Sequence, residues 1–356
     1  MRFHLSSEQV AIQDAIRGTL ADAFPAERRH ALADSDADFD ADSWKALMEL
    51  GLGGLAIPEE DGGSGLGLLD AALAVEVLGQ GAAPGPVAWH ILTCLALARS
   101  VNLGARSSLL GKLVSGEAVA TMAFGGDWLP SGWDAALENG KVTGSVPFVP
   151  SARSATLFLV GLSGGGLAVA EAGPGVEVTP VSSTDRTRRL GAVHFDGAPA
   201  TVIFAPGDPE VARIFDAGLV LVAADALGGA QYCVDLSVDY AKTREQFGQP
   251  IGQFQALKHQ LATMALEVEP ARAMLWYAAY AQDARLADAS RVAALTKAHI
   301  CDRYVSLTRA AIAAHGGIGY TWEYGLNYWF RRSVFDRAVL GSPAVHRERA
   351  AALAGW

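Results

Sequence analysis

The apolar and polar positions follow a helical period at both ends of the chain and a strand-like pattern in the middle. Residues 1 to about 118 carry apolar side chains at helical spacing, as at Trp44 and Leu47, and the same period returns from about 209. Between them, short β-branched segments alternate with glycine, proline, asparagine, serine and aspartate, which is typical of antiparallel strands joined by hairpins. The sequence therefore predicts an α+β chain with a helical domain at 1–118, a small antiparallel barrel or sandwich at 119–208, and a helical bundle at 209–356.

The C-terminal part carries the clearest helical signal. Apolar residues recur at steps of 3, 4, 3 and 4 along a narrow seam formed by Phe254, Leu257, Leu261, Met264 and Val268. Pro270 is expected to kink this helix. A second long helix should end at Gly316 and Gly317.

Composition narrows the class of protein. The chain has 356 residues, is 51% hydrophobic and carries a formal charge of −10, so it has no basic footprint for nucleic acid. It contains no run of about 18 apolar residues and no apolar core of a signal peptide, so neither a membrane span nor secretion is expected, and a cytoplasmic protein is predicted. Its three cysteines are far apart and lack zinc spacing; they should be buried, and no metal site is predicted.

Four features together resemble the acyl-CoA dehydrogenase family. They are the helix–sheet–helix order and the stretches WKALMELGLGGLAIPEEDGGSG, YAKTREQFGQPIGQFQALKHQLATM and AAHGGIGYTWEYGLNYWFRR. The resemblance implies a protein in which FAD lies between the sheet and the C-terminal bundle, and a base removes the α-proton of an acyl-CoA thioester while hydride leaves the β-carbon for the flavin. Burial that raises a carboxylate pKa suits such a base.

The RxxFG motif at 244–248 is the most specific part of the resemblance. In the family its arginine crosses a subunit interface to the pyrophosphate of a neighbour's FAD, which suits a planar guanidinium. The resemblance therefore assigns Arg244, Phe247 and Gln255 to cofactor binding, with Gly316 and Gly317 forming a turn close to the same cofactor. The alternative interpretation is that Arg244 pairs with a carboxylate and that Phe247 is a core residue.

The sequence departs from the family where the catalytic base should be. Leu340, Gly341 and Ser342 stand in place of the usual E-G-T motif. Some members carry the base instead at the start of the helix that leads into RxxFG, and that position is Gly218. Neither residue can accept a proton, so no catalytic residue is assigned at either position.

The motifs that cover the flavin are altered as well. The family's T-E-P-x-x-G-S-D stretch is replaced by TMAFGGDWLPSG. Its N-G-x-K-x-W-I-T motif is replaced by NGKVTGSVPFV followed by Pro150, so Phe148 replaces the indole and a proline replaces the hydroxyl. The glutamine that usually precedes the Gly-Gly turn is Ala313. Residues that build the chain's own site are lost, while those offered to a neighbour are mostly kept, with Ala313 a partial exception.

Asp225 is the strongest remaining candidate for a relocated base. It lies inside the apolar run LVLVAADALGGA, where a carboxylate has a perturbed pKa or needs a partner. The competing interpretation is a core aspartate bonded to a helix or to an arginine. Glu323 and Asp336 are weaker candidates in polar surroundings, and His315 is expected to support the glycine turn.

The resemblance favours one subunit of a heteromeric acyl-CoA dehydrogenase. Such α2β2 assemblies act on steroid side-chain CoA thioesters in actinobacteria, and this chain is similar to their non-catalytic type of subunit. It would share FAD with a homologous partner that carries the base. Two alternatives stay open: a self-sufficient homotetramer that uses Asp225, and a flavin-free scaffold that keeps only the fold.

Overall fold

The first part of the chain is helical. A computed structural model of the protein describes residues 4–356. Its N-terminal helices are α1 (Ser7–Ala23), α2 (Ala26–Asp34), α3 (Ala41–Glu49), α4 (Leu68–Gln80), α5 (Val87–Arg99) and α6 (Leu103–Val114). Ser6 and Gln9 form a reciprocal capping box at the start of α1, with bonds of 3.2 and 3.0 Å. Helices α4 and α5 are buried on nearly every face, so they lie at the centre of the molecule.

The middle part folds as a sheet of seven strands. They are β1 (Ala120–Ala123), β2 (Ala136–Glu138), β3 (Lys141–Pro150), β4 (Leu157–Leu162), β5 (Gly166–Glu171), β6 (Val176–Val181) and β7 (Leu190–Phe204). The strand order is β1-β4-β5-β7-β3-β2, with β6 also paired to β7. Strand β7 belongs to both halves, which enclose a small apolar core of their own. The arrangement is a sandwich rather than a closed barrel.

Two sequence expectations for the sheet are corrected. The segments LGAVHF and ATVIFA are one continuous strand, β7, because Gly197 at φ 67° forms a bulge that bends the strand from one half-sheet to the other. The sheet is also not wholly antiparallel, since β1 pairs with β4 in parallel register. The glycine-rich Gly161–Ala168 stretch forms the predicted hairpin between β4 and β5.

The last part is a helical bundle. It contains α7 (Pro209–Thr243), α8 (Gln255–Asp283), α9 (Ala289–His315), α10 (Asn327–Ala338) and α11 (Pro343–Leu353), with a short hairpin of β8 (Glu245–Gln246) and β9 (Gln249–Pro250) between α7 and α8. The predicted seam buries Leu261, Met264 and Val268 of α8. Helix α8 continues through Pro270. The helix–sheet–helix fold class is confirmed.

Glycines bring α7 against the N-terminal helices. A Cβ atom added at Gly228 would overlap the carbonyl oxygen of Glu76, and one at Gly79 would overlap that of Asp225. Helices α4 and α7 therefore cross with backbone nearly touching backbone. This crossing fixes α7, on which Gly218, Asp225 and the residues leading to Arg244 are carried.

Other local expectations have mixed outcomes. The charged stretch Ala33–Asp42 is typical in sequence of a solvated loop, but its ends lie in α2 and α3 and Asp38 is buried. Asp40 caps α3 and pairs with Arg28 at 2.6 Å. The three cysteines are buried, as predicted. Within residues 4–356, no helix is both long and apolar enough to cross a membrane.

Candidate functional site

The two positions at which the resemblance places the base lie against each other. Gly218 is on α7, and Leu340 follows α10. A Cβ atom at Gly218 would stand 2.9 Å from Leu340 Cδ1 and 3.3 Å from Leu92 Cδ2 on α5. Leu340 and Leu92 are fully buried. Apolar side chains thus fill the space around both positions, and no carboxylate reaches it from either one.

The turn that carries Leu340 is held in a strained conformation. Leu340 has φ 56°, a left-handed value that is unfavourable for a side chain with a Cβ atom. His346 Nε2 donates to the Leu340 carbonyl at 2.7 Å. The buried ammonium of Lys297 donates to the carbonyl oxygens of Arg337, at 3.0 Å, and of Gly341. These bonds stabilise the shape of the turn.

Both buried side chains at this turn have shifted pKa values. Burial lowers the pKa of His346 to about 4, with a further contribution from the charge of Lys297, so the ring is neutral at pH 7. Burial also lowers the pKa of Lys297. Neutral His346 can donate from Nε2, which fits its bond to Leu340. His346 and Lys297 therefore hold the backbone of this turn in place.

The segment that replaces the flavin-covering motif of the sheet domain presents aromatic and apolar groups. Pro147 and Phe148 lie where the β3–β7 register shifts, between Val146 and Val149. Phe148 has φ 61° and its ring lies 6.0 Å from that of Trp128. The backbone oxygen of Pro150 accepts from Thr121 Oγ1 at 2.6 Å. The Ser151 hydroxyl, next along the chain, is buried without a hydrogen-bond partner among the described residues.

Residues 124–133 fold back over the same region. Trp133 is buried against Gly161 and lies 4.5 Å from the ring of Phe124. A Cβ atom at Gly341 would lie 2.9 Å from Leu129 Cδ2, so this segment reaches the turn that carries Leu340. The side chains that pack together here are therefore mainly apolar.

The RxxFG motif forms an exposed hairpin tip at the end of α7. Strands β8 and β9 pair antiparallel, and Phe247 and Gly248 occupy the two turn positions with φ 53° and 80°. Phe247 is 92% exposed, so the interpretation as a core residue is wrong. Arg244 is also exposed, and its guanidinium has no hydrogen bond or ion pair within the described chain. The alternative in which Arg244 pairs with a carboxylate of this chain is not supported either.

The glycine turn lies at the same end of the molecule as this hairpin. Tyr240, four residues before Arg244, stacks on His315 with ring centroids 4.5 Å apart. His315 is buried, its Nδ1 donates to the Ala311 carbonyl at 2.7 Å, and burial lowers its pKa. Gly316 follows directly with φ 63° and ψ −141°, a conformation open to glycine alone. His315 thus supports the turn, as its position in the sequence predicts.

This surface can accept a ligand that carries a diphosphate. No atom lies within 4 Å of a Cβ placed at Gly316 or Gly317, so backbone is open to close approach there. Arg244 offers an unpaired guanidinium, and Gln255, the first residue of α8, is exposed. A planar cation and a carboxamide beside open glycines fit the ADP half of FAD. The surface faces outward.

Asp225 belongs to a buried network of charges rather than to a cavity. Its Oδ1 accepts from Arg188 Nη2 at 3.0 Å, and its two oxygens accept from Nε, at 2.7 Å, and Nη2 of Arg332. Both arginines also donate to the carbonyl of Ala83. Burial raises the pKa of Asp225, but the charges of Arg332 and Arg188 outweigh this and lower the pKa below its ordinary value. These contacts favour the interpretation as a core aspartate.

Asp336 is the second acid in this network. It is buried rather than exposed to polar surroundings, and burial, followed by the charge of Asp225, raises its pKa well above the ordinary range. The pair therefore holds one ionised carboxylate, Asp225, and one protonated acid, Asp336, hydrogen-bonded to each other. Glu323, the other weak candidate, is exposed.

Sequence reasoning missed the residues that surround these positions. Lys297 and His346 hold the Leu340 turn, and Arg188 and Arg332 neutralise Asp225. The sequence could have indicated Lys297, because it lies in the apolar stretch VAALTKAHI and a buried lysine needs hydrogen-bond acceptors or a countercharge. Across residues 4–356, no group of three or more histidine, cysteine or acidic side chains is placed to hold a metal.

Comparisons with known proteins identify the family of the chain. Residues 6–117 match the model of the acyl-CoA dehydrogenase N-terminal domain, and residues 211–354 match that of the C-terminal domain. The chain is 33% identical to the acyl-CoA dehydrogenase IpdE2 of Mycobacterium tuberculosis, over 90% of this chain and 89% of that protein. It is 31% identical to FadE34 of the same organism, over 98% of this chain but only 48% of FadE34.

Solved structures extend the likeness to the whole fold. A variant of the Tcur3481–Tcur3483 steroid ACAD superimposes with a TM-score of 0.91 at 29% identity, covering 98% of both chains. The ChsE4–ChsE5 complex of Mycobacterium tuberculosis gives 0.88 at 25% identity, covering 99% of this chain and 98% of that one. The chain therefore belongs to the acyl-CoA dehydrogenase family of FAD-dependent oxidoreductases.

Proposed function

We propose that this chain is the subunit of a heteromeric acyl-CoA dehydrogenase that lacks the base and contributes to the FAD site of a homologous partner. The observation that carries the proposal is the packing of Leu340 on Gly218, with Leu92 beside them. Both positions that supply the base in the family are occupied by residues that cannot take a proton. The space between them is filled by leucine side chains.

The outward-facing residues support the second half of the proposal. Arg244, Gln255, Gly316 and Gly317 lie on one exposed end and keep the residue types that the resemblance assigns to a neighbour's cofactor. At the same end, Phe247 is 92% exposed and Arg244 has no ion pair within the described chain. In the proposed complex, the partner covers Phe247 and its cofactor binds Arg244.

The comparisons support a two-chain arrangement from a different direction. The ChsE4–ChsE5 structure is a complex, and the steroid ACAD neighbour carries two chain names. FadE34 is about twice as long as the part this chain matches, so the rest of that protein has room for a second unit of similar size. We infer that FadE34 carries two such units in one polypeptide, and that here the two units are this chain and its separate partner chain.

The reaction we assign to the assembled enzyme is α,β-desaturation of a CoA thioester, with a steroid side chain as the acyl group. When bound, FAD supplies the hydride acceptor for this reaction. The present chain offers its guanidinium and glycine turn to hold the cofactor, and the partner supplies the carboxylate that removes the α-proton. The steroid assignment rests on the names of the solved neighbours.

Flavin content of the co-purified pair tests the proposal. We expect one FAD per heterodimer, and two would overturn it. Arg244→Ala should weaken FAD retention by roughly 10- to 150-fold, the equivalent of the ~1.5–3 kcal/mol typical of a charge-assisted hydrogen bond. Lys242→Ala is the matched control, since Lys242 is exposed two residues away and pairs with Asp239. Unchanged flavin in the Arg244 variant would support a flavin-free scaffold instead.

The homotetramer that uses Asp225 is tested by expressing the chain alone. A yellow protein that oxidises acyl-CoA without a partner would establish it. The two arginines on Asp225 weigh against this outcome, because a carboxylate with a lowered pKa is a poor base. We expect the isolated chain to contain no stoichiometric flavin.

A further inference from the structure

A cavity of about 270 Å³ between α1, α2 and α4 contains an arginine without an anion. Its polar lining residues are Arg17, Arg29 and Gln80, and its apolar wall includes Leu20, Phe24 and Val77. It lies apart from both the Leu340 turn and the exposed end of α7. Nothing in the proposed function uses it.

Arg29 lies between two aromatic rings. Its Cζ atom is 5.0 Å from the ring centroid of Trp329 and 5.8 Å from that of Phe24. Its Nε is buried without a hydrogen-bond partner, and no ion pair of this guanidinium occurs among residues 4–356. Burial lowers the pKa of Arg29. Cation–π contacts offset part of the desolvation but leave Nε without an acceptor.

The two buried arginines of the Asp225 network are paired, in contrast to Arg29. Arg188 and Arg332 share the carboxylate of Asp225 and the carbonyl of Ala83. Arg17, on the wall of the same cavity, pairs with Asp14 at 2.7 Å and contacts Gln80 Oε1 at 3.4 Å. The cavity therefore lacks the countercharge of about one cation, that of Arg29.

We propose that this cavity binds a carboxylate that bears a small apolar group, with the Arg29 guanidinium as its ion-pair partner. A single unmatched cation suits a monoanion better than a phosphate dianion. The planar fork of arginine matches the two oxygens of a carboxylate. The leucine, valine and phenylalanine wall suits an apolar body attached to that group. The source is either a free organic acid or an acidic side chain of a partner subunit.

Calorimetric titration of the full chain with benzoate, isobutyrate and inorganic phosphate tests the proposal. We expect both carboxylates to bind, and phosphate to bind more weakly. Arg29→Gln should weaken benzoate binding by about 10- to 100-fold, the loss of one charge-assisted bidentate contact. Arg29→Lys, which keeps the charge without the fork, should give an intermediate loss. Arg17→Gln is the matched control and should change affinity less, since its charge is already paired.

Several results would overturn the proposal. These are no binding of either carboxylate to the wild-type chain, equal affinity for benzoate in the Arg29→Gln variant, and tighter binding of phosphate than of benzoate. Far-UV circular dichroism of each variant checks that it is folded. In the assembled complex, benzoate that binds as in the free chain identifies a free acid as the ligand. Benzoate that is excluded, together with weaker subunit association in Arg29→Gln, identifies a partner side chain.

Discussion

The substitution Asp225→Asn separates a structural carboxylate from a catalytic one. Asn keeps the shape of the side chain but removes the charge that pairs directly with Arg188 and Arg332. Removing one partner of a buried ion pair typically costs about 3–5 kcal/mol, because the remaining charge has lost its hydration and gains nothing in return. We expect a loss of that size in the free energy of unfolding.

The expected shift in melting temperature follows from the length of the chain. At about 2.1 cal/mol/K per residue, 356 residues give an unfolding entropy near 0.75 kcal/mol/K. A loss of about 3–5 kcal/mol then lowers Tm by about 4–7 °C, if the chain unfolds as one unit. Differential scanning calorimetry of the co-purified complex measures this shift directly.

Asp336→Asn is the matched control in the same network. Asp336 is buried like Asp225, but its raised pKa means that the folded protein holds it protonated. An Asn amide can donate to Asp225 as the protonated acid does, so we expect a change within about 1 kcal/mol. A larger loss in Asp336→Asn than in Asp225→Asn would refute the assignment of charges. A stable Asp225→Asn variant that binds substrate but has lost turnover would instead establish Asp225 as a base.

The pH dependence of stability provides a second measurement on this pair. Because the folded pKa of Asp336 is raised, the folded state holds this proton more tightly than the unfolded state. Its contribution is fully present below the ordinary carboxyl pKa and is lost as pH rises towards the folded value. Asp225 has a lowered pKa and acts oppositely, with its contribution lost at acid pH. Asp336→Asn should flatten the decline at rising pH and leave the acid limb unchanged.

Three further substitutions test the Leu340 turn, the glycine turn at Gly316 and the hairpin that carries Phe247. Leu340→Glu should lower the unfolding free energy by about 2 kcal/mol or more, because the new carboxylate would be buried against Gly218 and Leu92 without a partner. The isolated variant should have no dehydrogenase activity, and activity above background would contradict this. Gly316→Ala should cost about 1–2 kcal/mol in a urea titration and lower flavin content in the complex, since φ 63° with ψ −141° is strained for alanine. Phe247→Ser should leave the stability of the free chain within about 0.5 kcal/mol but weaken subunit association in analytical ultracentrifugation; unchanged association would place the partner elsewhere.

The strands show where local sequence patterns suffice and where they do not. Strand β6 is found where the pattern predicts it, because its alternation is bounded by Gly173 and Gly175 on one side. Strand β7 is divided by the pattern, since Asp196 and Gly197 resemble a hairpin turn. In the structure Gly197 is a bulge inside a strand that changes partners there. Whether a glycine ends a strand or bends it depends on which strands lie beside it, and that information is not local.

The candidate site divides in the same way. Motif spacing identifies Arg244 and the glycine turn, because these residues lie in short, recognisable stretches. It cannot show that Gly218 and Leu340 touch, or that Asp225 is neutralised by Arg188 and Arg332, which are 37 and 107 residues away. These contacts depend on the crossing of α4 and α7 and on the packing of α10 against α7 and α9. The charge state of Asp225 therefore becomes readable only once the fold is known.

The hairpin at the end of α7 bears on the thermodynamics of assembly. Phe247 and Gly248 form a two-residue turn closed by the Gln246–Gln249 pair, so the aromatic ring is carried on a short, closed loop before any partner arrives. Association of a preordered loop loses little conformational entropy, and most of the area that the ring buries can contribute to affinity. The same rigidity keeps the Phe247 ring at the hairpin tip, where it lies edge-on 6.0 Å from the ring of Phe254 and stays exposed. The free subunit should therefore self-associate at high concentration, and its solubility should rise when the partner is co-expressed.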